Sequence, residues 1–205
     1  MLYSELQCSE AIRQAVERMG FAEMTEIQEK TIPVMMAGHD VIAKAPTGTG
    51  KTCAFGIPVA EHIDPKKKYP QAVIMAPTRE LAQQIAEELT ELTYFMPEVQ
   101  VACVYGGANM EKQARRLAEG CQIVVATPGR LMDHYKHHSI DLAHVSQVVL
   151  DEADEMLNMG FYKDVRHIIE LMKARKSLSM FSATISREVM DIGWLYQNNA
   201  EEITV

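Results

Sequence analysis

A glycine-rich stretch at residues 43–52, AKAPTGTGKT, ends in one lysine and one hydroxyl side chain. Gly50, Lys51 and Thr52 match the end of the phosphate-loop pattern G-x-x-x-x-G-K-[ST], but Ala45 stands where that pattern begins with glycine. In such a loop the backbone amides bind phosphate oxygens, the lysine faces the β- and γ-phosphates, and the hydroxyl is placed for Mg²⁺. Because of Ala45, a glycine-rich turn with a surface lysine stays open as an alternative.

Acidic residues end a second stretch that begins apolar, VVLDEAD at residues 148–154. Hydrolysis of a nucleoside triphosphate needs one carboxylate to hold Mg²⁺ and a second to orient water, and Asp151 and Glu152 suit these two roles. The alternative is the acidic first turn of a helix, which is common. A phosphate-loop candidate earlier in the same chain favours the catalytic interpretation.

Short apolar stretches alternate with helical ones along the chain. Their nearly continuous apolar character is typical of strands buried on both faces of a parallel sheet. The sequence therefore predicts an α/β, doubly wound, mostly parallel sheet with helices on both faces, and ligands beyond the carboxyl ends of the strands. The predicted strands are Val41–Ala45, Ala72–Ala76, Val101–Tyr105, Ile123–Ala126, Val148–Leu150 and Leu178–Phe181. The predicted helices are Ser9–Met19, Thr25–Ala37, Ala54–Ile63, Arg79–Phe95, Met110–Ala118 and Phe161–Met172.

Composition narrows the class of protein. The 205 residues show no linker or repeat, so we expect one domain over residues 1–205, with a helical region at 1–40 packed on it. A net charge of −8 argues against general attraction to nucleic acid, so any such contact must be local. The four cysteines are scattered and are expected to be buried and reduced. Without a membrane-length apolar stretch or a signal-peptide core, we expect a cytoplasmic protein with no membrane contact.

Residues 151–154 spell D-E-A-D, and the chain resembles the N-terminal RecA-like domain of a DEAD-box ATP-dependent RNA helicase. In that family the phosphate loop commonly reads A-x-T-G-[ST]-G-K-T, which accounts for Ala45. Further family blocks follow in family order over essentially the whole chain: GFAEMTEIQ (20–28), PTRELA (77–82), GG (106–107), TPGR (127–130) and SAT (182–184). The resemblance implies a RecA-like P-loop NTPase fold.

The resemblance also implies an ATP or ADP site with Mg²⁺ on Thr52 and Asp151, and Lys51, Asp151 and Glu152 as catalytic residues. The implied nucleotide-binding residues are Phe21, Thr25, Gln28, Ala45, Pro46, Thr47, Gly48, Thr49, Gly50, Lys51 and Thr52. Gln28 carries a donor and an acceptor, so it can pair with adenine while Phe21 packs on the base. Without the resemblance, a surface glutamine and a core phenylalanine would be the preferred interpretation. The family usually has proline in place of Met24, and its upstream aromatic is matched by Tyr3.

The implied RNA-facing residues are Pro77, Thr78, Arg79, Gly106, Gly107, Thr127, Pro128, Gly129 and Arg130. Thr127 is a suitable N-cap and Pro128 a suitable first helical residue, so a helix N-terminus would face phosphate there, with charge added by Arg130. Such contacts follow the RNA backbone without reading bases. Ordinary helix capping is the alternative. In the family, hydroxyls such as those of Ser182 and Thr184 bond Asp154 and couple nucleotide state to RNA binding; capping of the next helix is the alternative.

We therefore expect the ATP-binding domain of an RNA helicase, in which Mg²⁺-assisted hydrolysis drives RNA binding and duplex remodelling. No residues match the family's second, C-terminal RecA-like domain, so we expect an excised domain that is nearly inactive alone. A non-catalytic ATP-gated RNA clamp is a second hypothesis, although such a clamp can dispense with Glu152. A DNA-translocating relative is a third. The particular RNA and the oligomeric state stay open.

Overall fold

Seven strands form one central sheet in the computed structural model, which describes residues 1–205. The strands are β1 (Val41–Lys44), β2 (Ala72–Met75), β3 (Val101–Val104), β4 (Ile123–Ala126), β5 (Gln147–Asp151), β6 (Ser177–Ser182) and β7 (Glu201–Thr204). They lie in the order β3-β4-β2-β5-β6-β1-β7, and all neighbouring pairs are parallel. The carboxyl ends of all seven strands therefore meet at one edge of the sheet.

Nine helices cover the two faces of this sheet. They are α1 (Glu10–Arg18), α2 (Glu26–Met36), α3 (Lys51–Glu61), α4 (Arg79–Leu92), α5 (Met110–Ala118), α6 (Pro128–Lys136), α7 (Ala153–Met156), α8 (Tyr162–Leu171) and α9 (Arg187–Tyr196). Helices α1 to α4 enclose one apolar core against the sheet, and α5 to α9 enclose the other. The predicted α/β sheet with helices on both faces is confirmed.

Strand β2 shows how the sheet serves both cores. Successive side chains of a strand point to opposite faces. Ala72 and Ile74 accordingly belong to the core under α1 to α4, whereas Val73 and Met75 belong to the other core. Since all four residues are buried, the strand needs apolar side chains at every position, which is why it reads as a continuous apolar stretch.

Six of the seven strands lie where the sequence predicts them, with ends that differ by one residue at most. The seventh, β7, was missed. Of its four residues only Ile203 is buried, because β7 is an edge strand flanked by solvent. Helix α3 also begins earlier than predicted, at Lys51 rather than Ala54, since the phosphate-loop candidate leads directly into its first turn.

The N-terminal region 1–40 packs beside the sheet through α1 and α2. The side chain of Ser9 caps α1 by accepting a hydrogen bond from the backbone N–H of Ile12, at 3.3 Å. Helix α1 then contacts α3 and α4, and α2 packs along α3. A single bridge between Leu2 and Glu23 holds the first residues against the loop that leads into α2. This arrangement carries the N-terminus to the phosphate-loop candidate.

Asp40 forms hydrogen bonds both with the central strand β6 and with the residues at the start of the edge strand β7. Its buried carboxylate accepts hydrogen bonds from the backbone N–H of Leu178 at 3.0 Å and that of Asn198 at 2.8 Å. Its own carbonyl accepts from the N–H of Glu201, at 2.9 Å. One side chain thus positions β6 and the approach to β7, which together flank the strand that leads into the phosphate loop.

The four cysteines form no disulfide. Cys53 and Cys121 are buried as predicted, whereas Cys8 and Cys103 are only partly buried. Burial raises the pKa of the Cys53 thiol to about 12, and that of Cys103 and Cys121 to about 11. These thiols therefore stay protonated near neutral pH and are poor nucleophiles. Among the helices, none combines the length and the apolar composition needed to span a membrane.

Candidate active site

The phosphate-loop candidate turns sharply between β1 and α3. Gly48 and Gly50 have φ of 81° and 83°, a left-handed conformation that glycine adopts without strain. Thr49 closes the turn by donating its hydroxyl hydrogen to the carbonyl of Pro46, at 2.8 Å. The loop thus delivers the N-terminal amides of α3 to the carboxyl edge of the sheet, where the helix dipole favours an anion.

Ala45 lies at the base of this loop and is fully buried in the core under α1 to α4. Its backbone N–H donates to the carbonyl of Ser182 on the neighbouring strand β6, at 3.0 Å. The position therefore continues the sheet rather than taking part in the turn. No left-handed conformation is required there, so glycine offers no advantage over alanine.

Lys51 brings the two acidic residues and the loop together. Its ammonium nitrogen lies 2.6 Å from Oε1 of Glu152 and 3.5 Å from Oδ1 of Asp151. All three side chains are at least nine-tenths buried, so the charges attract one another in a poorly screened environment. Burial raises the pKa of Asp151 to about 6, although the charge of Lys51 opposes that rise. One buried cation therefore faces two buried carboxyl groups.

Glu152 has an uncommon backbone conformation. Its φ of 49° and ψ of 50° lie in the left-handed region, where a residue with a side chain is strained. Its backbone N–H donates to Oδ1 of Asp151 at 2.9 Å, which helps to hold this conformation. The turn directs the Glu152 carboxylate back toward Lys51 at the point where β5 passes into α7.

Gln28 contacts the phosphate loop directly. Its amide nitrogen donates to the carbonyl of Gly50 at 3.2 Å, and its amide oxygen accepts from the N–H of Thr25 at 3.0 Å. The Tyr3 hydroxyl donates to the same oxygen. Only 4% of Gln28 is exposed, so both of its functional groups already have partners within the chain. A nucleotide base would have to share or replace those partners.

Asp154 connects α7 to the end of β6. Its carboxylate accepts from the hydroxyl of Thr184 at 2.6 Å and from the Thr184 N–H at 3.2 Å. Ser182 accepts from the backbone N–H of Asp154 at 3.0 Å and donates to the carbonyl of Thr184 at 2.6 Å. Burial acts to raise the pKa of Asp154, but these hydrogen bonds outweigh it and lower the pKa. The following helix α9 is capped by Ser186 instead.

The PTRE and GG blocks lie at the same edge of the sheet. Thr78 caps α4 by accepting from the N–H of Leu81, at 3.2 Å. Arg79, the first residue of α4, is exposed and has no hydrogen bond or ion pair within the chain. Gly106 and Gly107 are exposed too, and Gly107 has a φ of 82°. These residues therefore present backbone and one unpaired cation to solvent.

The TPGR block differs from its prediction in two respects. Thr127 precedes α6 and Pro128 begins it, as expected, but the Thr127 side chain makes no capping hydrogen bond. Arg130 was predicted to offer charge to RNA, yet its side chain is only 13% exposed. Its guanidinium donates to the carbonyl of Ala108 at 3.0 Å and to Oε1 of Gln113 at 3.1 Å. In this structure Arg130 therefore ties α6 to the loop after GG, and its contact with RNA stays a prediction.

Residues 25–192 match the family model described as DEAD/DEAH box helicase. The chain belongs to the DEAD/DEAH box helicase family. ATP-dependent RNA helicase CshA of Listeria monocytogenes is 48% identical over 203 residues, which cover 99% of this chain and 39% of that protein. ATP-dependent RNA helicase DeaD of Escherichia coli is 40% identical over 99% of this chain and 32% of its own length. The chain thus spans about two fifths of such DEAD-box relatives or less.

Two solved structures share the fold of this chain. A DEAD box protein from the hyperthermophile Methanococcus jannaschii superposes with a TM-score of 0.92 at 38% identity, covering all of this chain and 56% of that one. A hypothetical ATP-dependent RNA helicase from Sulfolobus tokodaii gives a TM-score of 0.88 at 40% identity, over 96% of this chain and 57% of that one. The predicted RecA-like fold of the DEAD-box family is therefore confirmed.

The departure from the DEAD-box pattern at Met24 has a structural reason. Met24 is buried, and its backbone N–H donates to the carbonyl of Met1 at 2.9 Å, a bond that proline could not make. The first residues are thereby held in place, which brings Tyr3 to Gln28. Phe21 stacks on the Tyr3 ring with centroids 6.4 Å apart and remains 41% exposed. It is thus available to pack on a base.

Gln113 was not identified from the sequence, although this residue of α5 links the end of β3 to α6 through hydrogen bonds. Its amide nitrogen donates to the carbonyl of Tyr105 at 3.0 Å, and its oxygen accepts from Arg130 and from Nε2 of His134, at 3.0 Å. His134 is fully buried, and burial lowers its pKa, so the ring is neutral at pH 7. A glutamine on a short amphipathic helix carries no sequence signal of such a role.

Proposed function

We propose that the chain is the N-terminal, ATP-binding RecA-like domain of an ATP-dependent RNA helicase. In this proposal residues 1–205 form a single domain, and ATP hydrolysis is coupled to RNA binding and duplex remodelling. We further propose that a second RecA-like domain completes the site. This part is supported by the two relatives named above, because the chain spans only 39% and 32% of their length. The observation that carries the proposal is the meeting of Lys51, Asp151 and Glu152 at the phosphate loop.

The phosphate chain of ATP would bind along the loop of residues 45–52. Backbone amides at the start of α3 would donate to phosphate oxygens, and a phosphate oxygen would compete with Glu152 for the Lys51 ammonium. A carboxylate released in this way can orient water and accept its proton, which is the role we assign to Glu152. The left-handed backbone at Glu152 is consistent with a residue whose position is selected for chemistry rather than stability.

Two of the predicted site residues carry oxygen donors that suit Mg²⁺. The Thr52 hydroxyl and the Asp151 carboxylate are hard oxygen ligands, which this ion prefers and uses together with substrate phosphates. We propose these two residues as its protein ligands. Bound there, Mg²⁺ would supply charge that offsets the negative charge developing on the transferred phosphoryl group. It would also counter the burial that raises the pKa of Asp151.

Gln28 and Phe21 are proposed to select adenine. Gln28 offers a donor and an acceptor, and Phe21 offers an exposed aromatic face. Because Gln28 also bonds the carbonyl of Gly50, contact with the base and the shape of the phosphate loop are linked through one side chain. The hydrogen bonds among Asp154, Ser182 and Thr184 are proposed to carry the nucleotide state toward the RNA-facing edge.

The proposal is tested by equilibrium titration of the 205-residue chain with fluorescent ADP and with fluorescent GDP in Mg²⁺. We expect ADP to bind and GDP to bind at least about tenfold more weakly, since each unmatched polar group costs about 1–3 kcal/mol. Lys51→Ala should abolish measurable binding, whereas Lys66→Ala, at an exposed loop lysine, should not change it. Equal affinity for both nucleotides would remove Gln28 from the site, and undiminished binding by Lys51→Ala would remove the loop.

We expect the 205-residue chain and the full-length protein to differ in their rates of ATP hydrolysis. Arginine groups that stabilise the transferred phosphoryl are worth about 10³–10⁵ in rate, and we propose that the second RecA-like domain supplies them. Phosphate release by the 205-residue chain should therefore stay close to background with or without RNA. Rapid RNA-stimulated release by a monomer of this chain would contradict the need for a second domain.

A further inference from the structure

Arg79 rests on an aromatic ring. Its guanidinium carbon lies 4.7 Å from the centroid of the Tyr105 ring, within the range of a cation–π contact. The Arg79 side chain has no other polar partner in the chain and is exposed. Its N–H donors are therefore available, while its orientation is set by the ring. A guanidinium that stacks in this way can still bind a phosphate through two parallel hydrogen bonds at its edge.

The Tyr105 ring is itself fixed at both ends. Its hydroxyl accepts from the amide nitrogen of Gln83 at 3.0 Å, and Gln83 lies one turn beyond Arg79 on the same face of α4. At the other end, the backbone carbonyl of Tyr105 accepts from Gln113, at 3.0 Å. Helices α4 and α5 thus hold the ring between them. A ring held in this way limits the conformations that the long Arg79 side chain can adopt.

The two exposed glycines follow Tyr105 directly. A β-carbon added to Gly107 would lie 4.0 Å from a terminal nitrogen of Arg79, so the guanidinium lies beside the backbone of this turn. Arg130, the other arginine of the RNA-facing blocks, donates to Ala108 and to Gln113. Arg79 is therefore the unpaired cation at this place, next to backbone that a phosphate could approach closely.

We propose that Tyr105 is a positioning residue for RNA binding: its ring orients the Arg79 guanidinium so that Arg79 and the Gly106–Gly107 backbone bind one RNA phosphate together. This inference rests on the proposed RNA-binding function and assigns a role to a residue outside the recognised blocks. It distinguishes two parts of the tyrosine. The face of the ring orients Arg79, whereas the hydroxyl only steadies the ring through Gln83.

The test is a double-mutant cycle measured with a fluorescein-labelled ten-nucleotide oligouridine and the 205-residue chain at several KCl concentrations. We expect Tyr105→Leu to weaken binding about three- to tenfold, Tyr105→Phe to change it less than about twofold, and Tyr69→Leu to leave it unchanged. Tyr69 is a matched control, since it is also partly buried and stacks on a ring elsewhere, that of His144. The variant that combines Arg79→Ala with Tyr105→Leu should bind no more weakly than Arg79→Ala alone.

Salt dependence gives a readout that a purely structural role would not change. Loss of one phosphate contact to a single strand lowers the slope of log affinity against log salt by about 0.7, and Tyr105→Leu should approach that change. Each variant is checked for folding by its affinity for ADP with Mg²⁺, and Tyr105→Met replaces Tyr105→Leu in the cycle if the leucine variant fails that check.

Four outcomes would overturn the inference. Additive effects of the two substitutions, or an unchanged affinity and slope for Tyr105→Leu while Arg79→Ala binds weakly, would remove Tyr105 from this role. An unchanged affinity for Arg79→Ala, in a chain that still binds RNA, would reject the inference but keep the proposed function. A wild-type chain that binds ADP but no RNA at any salt concentration would reject the RNA part of both.

Discussion

Replacing Asp151 by asparagine should stabilise the metal-free domain at neutral pH while it removes a proposed Mg²⁺ ligand. The carboxyl group is 2% exposed and faces a second acid, Glu152, across the single cation of Lys51. Burial raises its pKa from the ordinary 3.8 to about 6, so folding disfavours its charged form. The asparagine keeps the shape of the side chain and an oxygen that can accept from the Glu152 N–H.

The sign and size of the effect follow from the pKa of Asp151. Between about pH 4 and pH 6 the folded chain binds more protons at this residue than the unfolded chain does, so its contribution to stability falls as pH rises. At 1.36 kcal/mol for each pKa unit, the full rise corresponds to about 3 kcal/mol at pH 7. We expect Asp151→Asn to recover about 1–3 kcal/mol there, and almost nothing below pH 4.

The measurement is urea unfolding of both proteins from pH 4 to pH 8, in EDTA so that no divalent cation binds the wild type. Glu87→Gln is a matched control, since Glu87 is exposed and its side chain has no hydrogen bond. The difference in free energy of unfolding should grow between pH 4 and pH 6 and then level off. An asparagine variant that is less stable at pH 7, or a difference that does not change with pH, would refute the reasoning.

Three further substitutions test other parts of the molecule. In the full-length protein, Glu152→Gln should keep ADP affinity and lower ATP turnover by about 10²–10⁴, because a positioned base is lost; normal phosphate release would contradict its role. Gly50→Ala should weaken ADP binding at least about tenfold in the same titration, since its φ is 83° and a β-carbon would lie 2.5 Å from the Gln28 amide nitrogen; unchanged affinity would mean that the loop tolerates another conformation. Asp40→Ala should lower the free energy of unfolding by about 1–3 kcal/mol, because the buried N–H of Leu178 and the partly buried N–H of Asn198 lose their acceptor. A loss below about 1 kcal/mol in urea unfolding would argue that water replaces the carboxylate.

Most of the fold could be predicted because its strands are buried on both faces. Stretches such as Val148–Leu150 must be apolar throughout, and that requirement is visible in the sequence. Strand β7 has two exposed glutamates and one buried isoleucine, a pattern that also suits a loop. Its position is decided by Asp40 and by pairing with β1, which are distant in sequence. No local pattern reports such contacts.

The candidate site also has features that the sequence predicts and features that it does not. Loop and acid motifs could be placed at one edge because each follows a predicted strand, and parallel strands end at the same edge. The inward turn of Arg130 could not be foreseen, because its partners, Ala108 and Gln113, belong to other elements. Tyr105 was predicted as the last residue of a strand, and nothing in its sequence neighbourhood indicates Arg79 as its contact. Patterns indicate which residues approach an edge, but not which of them pair there.

Strand β1, which leads into the phosphate loop, lies between β6 and β7, whose residues come more than 130 positions later in the chain. During synthesis at about 5–20 residues per second, the chain takes roughly 8 to 30 seconds after β1 to complete both of its neighbours. Until then its apolar residues have no sheet to join, and the loop that follows has no rigid support. The proposed nucleotide site is thus among the last parts of the fold to form, and a nascent chain released before residue 177 would expose an unpaired strand edge to aggregation.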